Sequence, residues 1–276
     1  MAPGHRTPHH DVTGRPDAPL LVLGPSLGTS GRIWDAQLPA LSETFRVLRY
    51  DLPGHGGSPS PAPADAAPGD TTVDDLADAV LALVDQVTGT GRADGEQRPA
   101  FRYAGISLGG AVGTRLAARH PDRVAALALV CTSAHFGGAG PWRERAALVR
   151  REGTAPLLKT SPARWFSDPE TARTPLGRAL LGDLAAADPA GYAACCDALA
   201  AYDTRAELSA VRAPTLVVGG TRDRATPLEH ARELTELIPR AGLRTIECGH
   251  LAVEEPHTLE HTLTAFLTRP GRRLPI

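Results

Sequence analysis

A serine between two glycines is the first residue in this chain whose setting suggests chemistry. Ser107 lies in Gly105-Ile-Ser-Leu-Gly109, with Phe101, Tyr103 and Ala104 before it and Leu108, Ala111, Val112 and Leu116 after it. The first group suits a short strand and the second recurs at helical spacing, so the serine sits on a direct strand-to-helix turn. A residue on so tight a turn has strained backbone angles, and its neighbours two positions away on either side must be small. The turn lifts the hydroxyl clear of the sheet edge, as a nucleophile requires. A serine hydroxyl reacts poorly until a base takes its proton, and that base must be held in one tautomer by an acid.

Later loops offer both partners. Asp223 follows an apolar run at residues 215–218, in Gly219-Gly-Thr-Arg-Asp-Arg-Ala-Thr-Pro227, and His250 follows a second run at 243–247, in Glu247-Cys-Gly-His-Leu251. Each has a plainer reading beside the chemical one. Asp223 also fits the N-cap of a helix opening near Pro227, and His250 also fits an exposed turn. Asp197 and Asp203 are other acids, both within the long segment before residue 211. His55 follows a strand but precedes Ser107, so it reads as a turn residue that shapes the site. His257 and His261 belong to a closing helix. Acyl transfer also needs two backbone N–H donors for the oxyanion. Leu108, the residue after the serine, supplies one, and Leu27, in the loop Gly24-Pro-Ser-Leu-Gly-Thr-Ser-Gly31, is placed for the other, although a plain glycine-rich turn fits that loop equally well.

The elements that must position these residues alternate. Apolar runs at 20–23, 45–50, 101–106, 124–131, 214–219 and 243–247 read as strands. Helical patterns follow several of them, at 33–41, 108–116, 228–238 and 256–267, and another runs from a capping-box-like Thr72-Val-Asp-Asp75. Such alternation implies an α/β architecture, a mostly parallel sheet covered by helices. A leading strand before Ala18, among three prolines, is short and lies at the sheet edge. Residues 58–70 and 88–99 read as loops. The rhythm breaks at 132–210, which is rich in Ala, Leu and Arg, punctuated by prolines, and without a convincing strand. We expect a core built from residues 1–131 and 211–276, with 132–210 inserted as a helical lid.

Net charge of −2 gives no reason to expect nucleic acid or an anionic membrane as partner. Residues 1–19 hold no apolar stretch, so neither a signal peptide nor a membrane span is expected, and we place the chain in the cytoplasm. Cys131, Cys195, Cys196 and Cys248 lack metal-site spacing and read as reduced thiols. The glycines of Asp51-Leu-Pro-Gly-His-Gly-Gly57 open no helix and form no dinucleotide fingerprint. No cofactor and no metal is expected.

Assembled, these residues resemble the α/β-hydrolase superfamily and, within it, the 3-oxoadipate enol-lactonases of aromatic catabolism. The more specific matches are Ser26-Leu-Gly-Thr29, Gln37-Leu-Pro-Ala-Leu41, Gly105-Ile-Ser-Leu-Gly-Gly110 and Asp223-Arg-Ala-Thr-Pro227, with Arg164-Trp-Phe166 and Gly191-Tyr-Ala-Ala-Cys-Cys-Asp197 in the inserted segment. Pro25 departs from the Asn usual in those enzymes. The resemblance implies an α/β-hydrolase fold and a cofactor-independent serine hydrolase that opens a small lactone, with Ser107 as nucleophile, His250 as base, Asp223 as orienting acid, and Leu27 and Leu108 as oxyanion donors. Alternatives are an esterase or acyltransferase for another small acid, and a ligand receptor without activity. Haloalkane dehalogenation is disfavoured, since it needs a carboxylate at position 107. The implied lactone carries an ionised acetate arm, which an apolar pocket admits only against a cation or several N–H donors. Of Arg143, Arg145, Arg150, Arg151 and Arg164, Arg145 is the expected anchor because it shares a helix face with Trp142; Trp142 and Trp165 would wall the ring. The plain alternative is an exposed arginine on a lid helix.

Overall fold

The computed structural model describes residues 7–60, 69–90 and 98–269. Seven strands form one sheet: β1 (His10–Thr13), β2 (Leu20–Gly24), β3 (Arg46–Tyr50), β4 (Phe101–Ile106), β5 (Val124–Val130), β6 (Thr215–Gly220) and β7 (Ala241–Ile246). Their order is β1-β3-β2-β4-β5-β6-β7. Only β1 runs antiparallel, on the outer edge of β3. β2 and β4 lie at the centre, and every residue of β2 is buried, which explains why Leu20-Leu-Val-Leu is apolar without alternation. β7, at the other edge, is buried only at Ile246.

Helices α1 (Leu38–Thr44), α2 (Val73–Thr88), α3 (Leu108–Arg119), α8 (Leu228–Leu237) and α9 (Pro256–Thr268) flank the sheet; α1 packs on α9, α3 packs on α2 and the central strands, and α8 packs on β6 and β7. The α2 start is a full capping box: the Thr72 side chain accepts from the Asp75 N–H, and the Asp75 carboxylate accepts from the Thr72 N–H. The helix expected over 33–41 is split. Ser30 caps a short 3-10 turn, Gly31–Trp34, and α1 opens afresh at Leu38 with Pro39 in its first turn. Proline is tolerated there because the N–H it lacks would have no helical acceptor. The last strand begins at Ala241, two residues before its apolar run. Residues 61–68 and 91–97, in two of the expected loops, lie outside the described residues.

Between β5 and β6 come α4 (Ala139–Glu152), α5 (Ser161–Trp165), α6 (Pro175–Ala186) and α7 (Pro189–Ala200). The prolines that punctuate this segment start helices: Thr174 caps α6 and Asp188 caps α7 just ahead of Pro175 and Pro189. α7 is buried from Gly191 to Leu199, packed against α4, so it needs no polar face. The two ends of the segment meet, with the Thr204 N–H donating to the Ala134 carbonyl at 2.9 Å. Among the described residues no helix is long and apolar enough to cross a membrane.

Candidate active site

Ser107 occupies the turn between β4 and α3 at φ 54° and ψ −117°, a conformation that side chains other than glycine rarely adopt. It is held there on two sides. Its N–H donates to the Val130 carbonyl at 3.0 Å, and the Thr132 hydroxyl donates to its carbonyl at 2.6 Å. The flanking glycines are required by close packing: a Cβ on Gly105 would collide with the Gly109 backbone, and one on Gly109 with the backbone of Gly24 and Pro25.

The loops after β6 and β7 bring the two expected partners to this turn. His250 Nε2 lies 2.9 Å from Ser107 Oγ, and its Nδ1 lies 2.9 Å from Asp223 Oδ2. All three residues are buried. With its proton on Nδ1 the imidazole donates to the carboxylate and presents Nε2 to the serine hydroxyl. Both oxygens of Asp223 are satisfied: Oδ1 accepts from the N–H of Ala225 (2.7 Å) and Thr226 (2.9 Å), and Oδ2 accepts from the Thr226 hydroxyl (2.7 Å) as well as facing His250. Burial alone would raise this carboxyl, but the adjacent imidazole and the Thr226 bonds outweigh it and hold Asp223 below the ordinary carboxylate value. The helix-cap alternative fails on geometry, because α8 is capped by Pro227 without any side-chain bond. The competing acids are engaged elsewhere, Asp197 with Arg150 and Asp203 with Arg205. His257 and His261 are exposed on α9.

The loop after β2 lies beside the turn, tied to it by the Gly109 N–H, which donates to the Pro25 carbonyl at 2.9 Å. Its own N–H groups are mostly committed: Gly28 donates to His55 Nε2 (3.0 Å), Ser30 to Asp183 (3.0 Å), and Gly31 to Asp51. Among the described residues no acceptor meets the N–H of Leu27 or of Leu108. These are the two N–H groups that the sequence reading expects to meet an oxyanion. His55 is more than a turn residue. Burial pushes its imidazole down to about 4 against the partial opposition of the Pro53 carbonyl and of Asp51 and Asp188, so at neutral pH its uncharged ring serves as acceptor for Gly28.

The inserted helices close over this loop. Trp165 and Leu184 would lie 3.2 and 3.0 Å from a Cβ on Gly28, and the Trp165 carbonyl accepts from the N–H of Leu251, next to His250, at 2.9 Å. Trp142 instead packs edge-on to Phe136 and donates its indole N–H to the Phe136 carbonyl; no hydrogen bond or ring contact joins it to Ser107 or His250. The Arg145 guanidinium lies 5.2 Å over the Trp142 ring and against the Tyr192 hydroxyl, and Tyr192 in turn touches the position a Gly28 Cβ would take. Arg164 is partly buried. Burial and the like charge of Arg145 push its guanidinium below the ordinary value, while Asp223 acts in the opposite sense. Among the described residues neither Arg145 nor Arg164 forms an ion pair, whereas Arg150 and Arg151 do.

Sequence reasoning passed over Thr226 and Asp183, and ranked Arg145 ahead of Arg164. Thr226 had a signal, a hydroxyl three residues after an acid, which commonly closes a turn. Asp183 had none, because its partner Ser30 is 153 positions away in the chain.

The alpha/beta hydrolase family matches residues 21–261. The 3-oxoadipate enol-lactonase 2 of Acinetobacter baylyi is 34% identical over 258 residues, covering 93% of this chain and 91% of that one. A putative carbamate hydrolase, RutD, of Pseudomonas syringae is 31% identical, covering 91% and 95%. The crystal structure of the enol-lactonase from Burkholderia xenovorans LB400 matches with a TM-score of 0.86 at 34% identity, covering 95% of this chain and 96% of that one. The chain belongs to the alpha/beta hydrolase family.

Proposed function

We propose that this chain is a serine hydrolase that opens 3-oxoadipate enol-lactone to 3-oxoadipate, with the inserted helices as a lid over the ring. The observation that carries the hydrolytic part is the unbroken line from Ser107 Oγ through His250 to Asp223, two contacts of 2.9 Å, beside two uncommitted N–H groups. In this reading His250 takes the serine proton as Oγ attacks the lactone carbonyl, and Leu27 and Leu108 donate to the oxyanion. The imidazolium, steadied by the ionised Asp223, then protonates the leaving enolate. The freed enol becomes a ketone, which draws the ring opening to completion. Water activated by the same imidazole releases the acyl group from Ser107.

The similarity to enol-lactonases supports the choice of ring. Independent support comes from Arg145 and Arg164, whose like charges oppose one another at Arg164 and neither of which forms an ion pair among the described residues. Such a pair is costly unless an anion joins it. We assign the lactone's carboxylate to these two guanidiniums, with Trp165 walling the ring and Trp142 supporting Arg145 through its face.

The test follows purified protein by ultraviolet absorbance on 3-oxoadipate enol-lactone, simple acetate esters and a carbamate. Rapid loss of the lactone is the expected result. Rapid ester or carbamate hydrolysis with the lactone untouched would keep the nucleophile and discard the substrate. Arg145→Ala and Arg164→Ala should each slow lactone turnover about ten-fold or more, the value of a charge-assisted contact, and leave the neutral ester as before.

A further inference from the structure

The loop carrying Leu27 has no regular structure of its own, yet an oxyanion donor must be fixed to within a fraction of an ångström. Three of its N–H groups are held by side chains. Two of the holders, His55 and Asp51, come from the loop after β3 in the same sheet. The third is Asp183, 153 positions away on α6. Its Oδ2 accepts both the Ser30 N–H, at 3.0 Å, and the Ser30 hydroxyl, at 2.7 Å. Ser30 is also the cap of the 3-10 turn that ends the loop.

A carboxylate is an expensive choice for this place. Its side chain is only 13% exposed, and the nearest cation, Arg32, stands 3.9 Å away, too far for a hydrogen bond. Burial accordingly pushes the Asp183 carboxyl above its ordinary value, despite the two Ser30 bonds. What the carboxylate gains is a two-pronged grip on one loop residue, since a single oxygen takes both donors. The neighbouring Leu184 presses on the same loop at Gly28, where its Cδ1 would lie 3.0 Å from an added Cβ. The loop is thus clamped between the sheet and α6.

We infer that Asp183 is a positioning residue for the oxyanion site: by gripping Ser30 it holds the Leu27 N–H in register with that of Leu108, and so makes electrophilic stabilisation depend on the inserted helices being seated. This rests on the serine-hydrolase reading above, and the experiment separates the two.

Asp183→Ala, Asp183→Asn and Ser30→Ala are compared with the unaltered protein on 4-nitrophenyl acetate and on the enol-lactone. Affinity for phenylboronic acid, which forms a tetrahedral adduct on the serine, is measured alongside. A mispositioned donor weakens the transition state and leaves substrate binding alone, so Asp183→Ala is expected to lower kcat about 10- to 100-fold with KM within about two-fold. Boronate affinity should fall in step. Asp183→Asn keeps an oxygen that can accept both Ser30 donors and should recover most of the loss. Ser30→Ala, which keeps the N–H bond, should fall between. If Asp183→Ala lowers the melting temperature but leaves kcat and boronate affinity unchanged, Asp183 is merely structural and the inference is overturned. If the unaltered protein neither hydrolyses the ester nor binds the boronate, the serine-hydrolase reading fails and takes this inference with it.

Discussion

At the scale of single residues, Ser107 and Asp223 act on the same imidazole from opposite sides, and their substitutions have different consequences. On the proposed mechanism Ser107→Ala removes the nucleophile, while the strain of the turn stays in the backbone, which Ala can adopt at the same cost. We predict loss of turnover by several orders of magnitude with an unchanged unfolding midpoint in urea. Asp223→Asn is subtler. Its amide oxygen can still accept from Ala225 and Thr226 at the Oδ1 position, so the turn survives. Its NH2 must then face His250 Nδ1 and the Thr226 hydroxyl. That reverses the tautomer, placing the imidazole proton on Nε2 and pointing it at Ser107. Turnover should fall by about four orders of magnitude with native circular dichroism. Near-normal turnover would send the search for the acid elsewhere. The meeting of Ser107, Asp223 and His250 was legible in the sequence because each follows an apolar strand, and a residue just past a parallel strand can only lie on one edge of the sheet. Asp183 was not, because nothing in its local sequence points to Ser30, 153 positions away; Arg164 was one of five candidate arginines that look alike until the opposing helices are placed.

At the scale of elements, the strand-turn-helix unit β4-Ser107-α3 was readable almost to the residue, since its glycines are fixed by sterics that operate locally. The consequence of those sterics can be measured. At Gly109 a methyl group would meet the backbone of Gly24 and Pro25, neither of which can rotate away. Gly109→Ala is expected to destabilise the fold by at least about 1–3 kcal/mol and to abolish activity by displacing the Leu108 N–H. Gly182, exposed in the interior of α6 with nothing within 4 Å of an added Cβ, is the control. There Gly182→Ala should stabilise by about 0.5–1 kcal/mol through helix propensity. Urea midpoints that move in the same direction for both variants would contradict this account. The elements misjudged were those whose limits are set by tertiary contacts. Residues 33–41 carry one helical pattern, but Trp34 turns inward to donate its indole N–H to the Gly24 carbonyl at 3.2 Å, and the chain breaks there into a 3-10 turn and a separate helix. β7 starts early because β6 offers it a partner from Thr215 onward, whatever the polarity of Ala241 and Gly242.

At the scale of the whole molecule, sheet and inserted helices meet around His55, and this contact links stability to pH. The ring stacks on Tyr192 of α7 at 5.7 Å, the adjacent Gly54 lies backbone to backbone with Gly191, and the Gly54 carbonyl accepts from the Asp188 N–H at 2.8 Å. Neither glycine can gain a side chain without separating the two parts. His55 must remain uncharged to accept from Gly28, and burial lowers its pKa from 6.5 to about 4. The sign of the linkage follows. As pH falls below 6.5 the unfolded chain takes up a proton that the folded protein refuses, so stability is complete above about 6.5 and declines toward 4, by on the order of 3 kcal/mol in all. His120 and His230 are also lowered by burial, so the slope of the unaltered protein is a sum. His55→Gln isolates one contribution, because Gln can still accept from Gly28 but does not titrate. The variant is expected to be less stable than the unaltered protein at pH 7, and to lose less of its stability between pH 7 and pH 4.5 in urea unfolding at each pH. Equal losses in the two proteins would mean that His55 takes up its proton in the folded state as readily as in the unfolded one, and that the junction between sheet and inserted helices tolerates the charge.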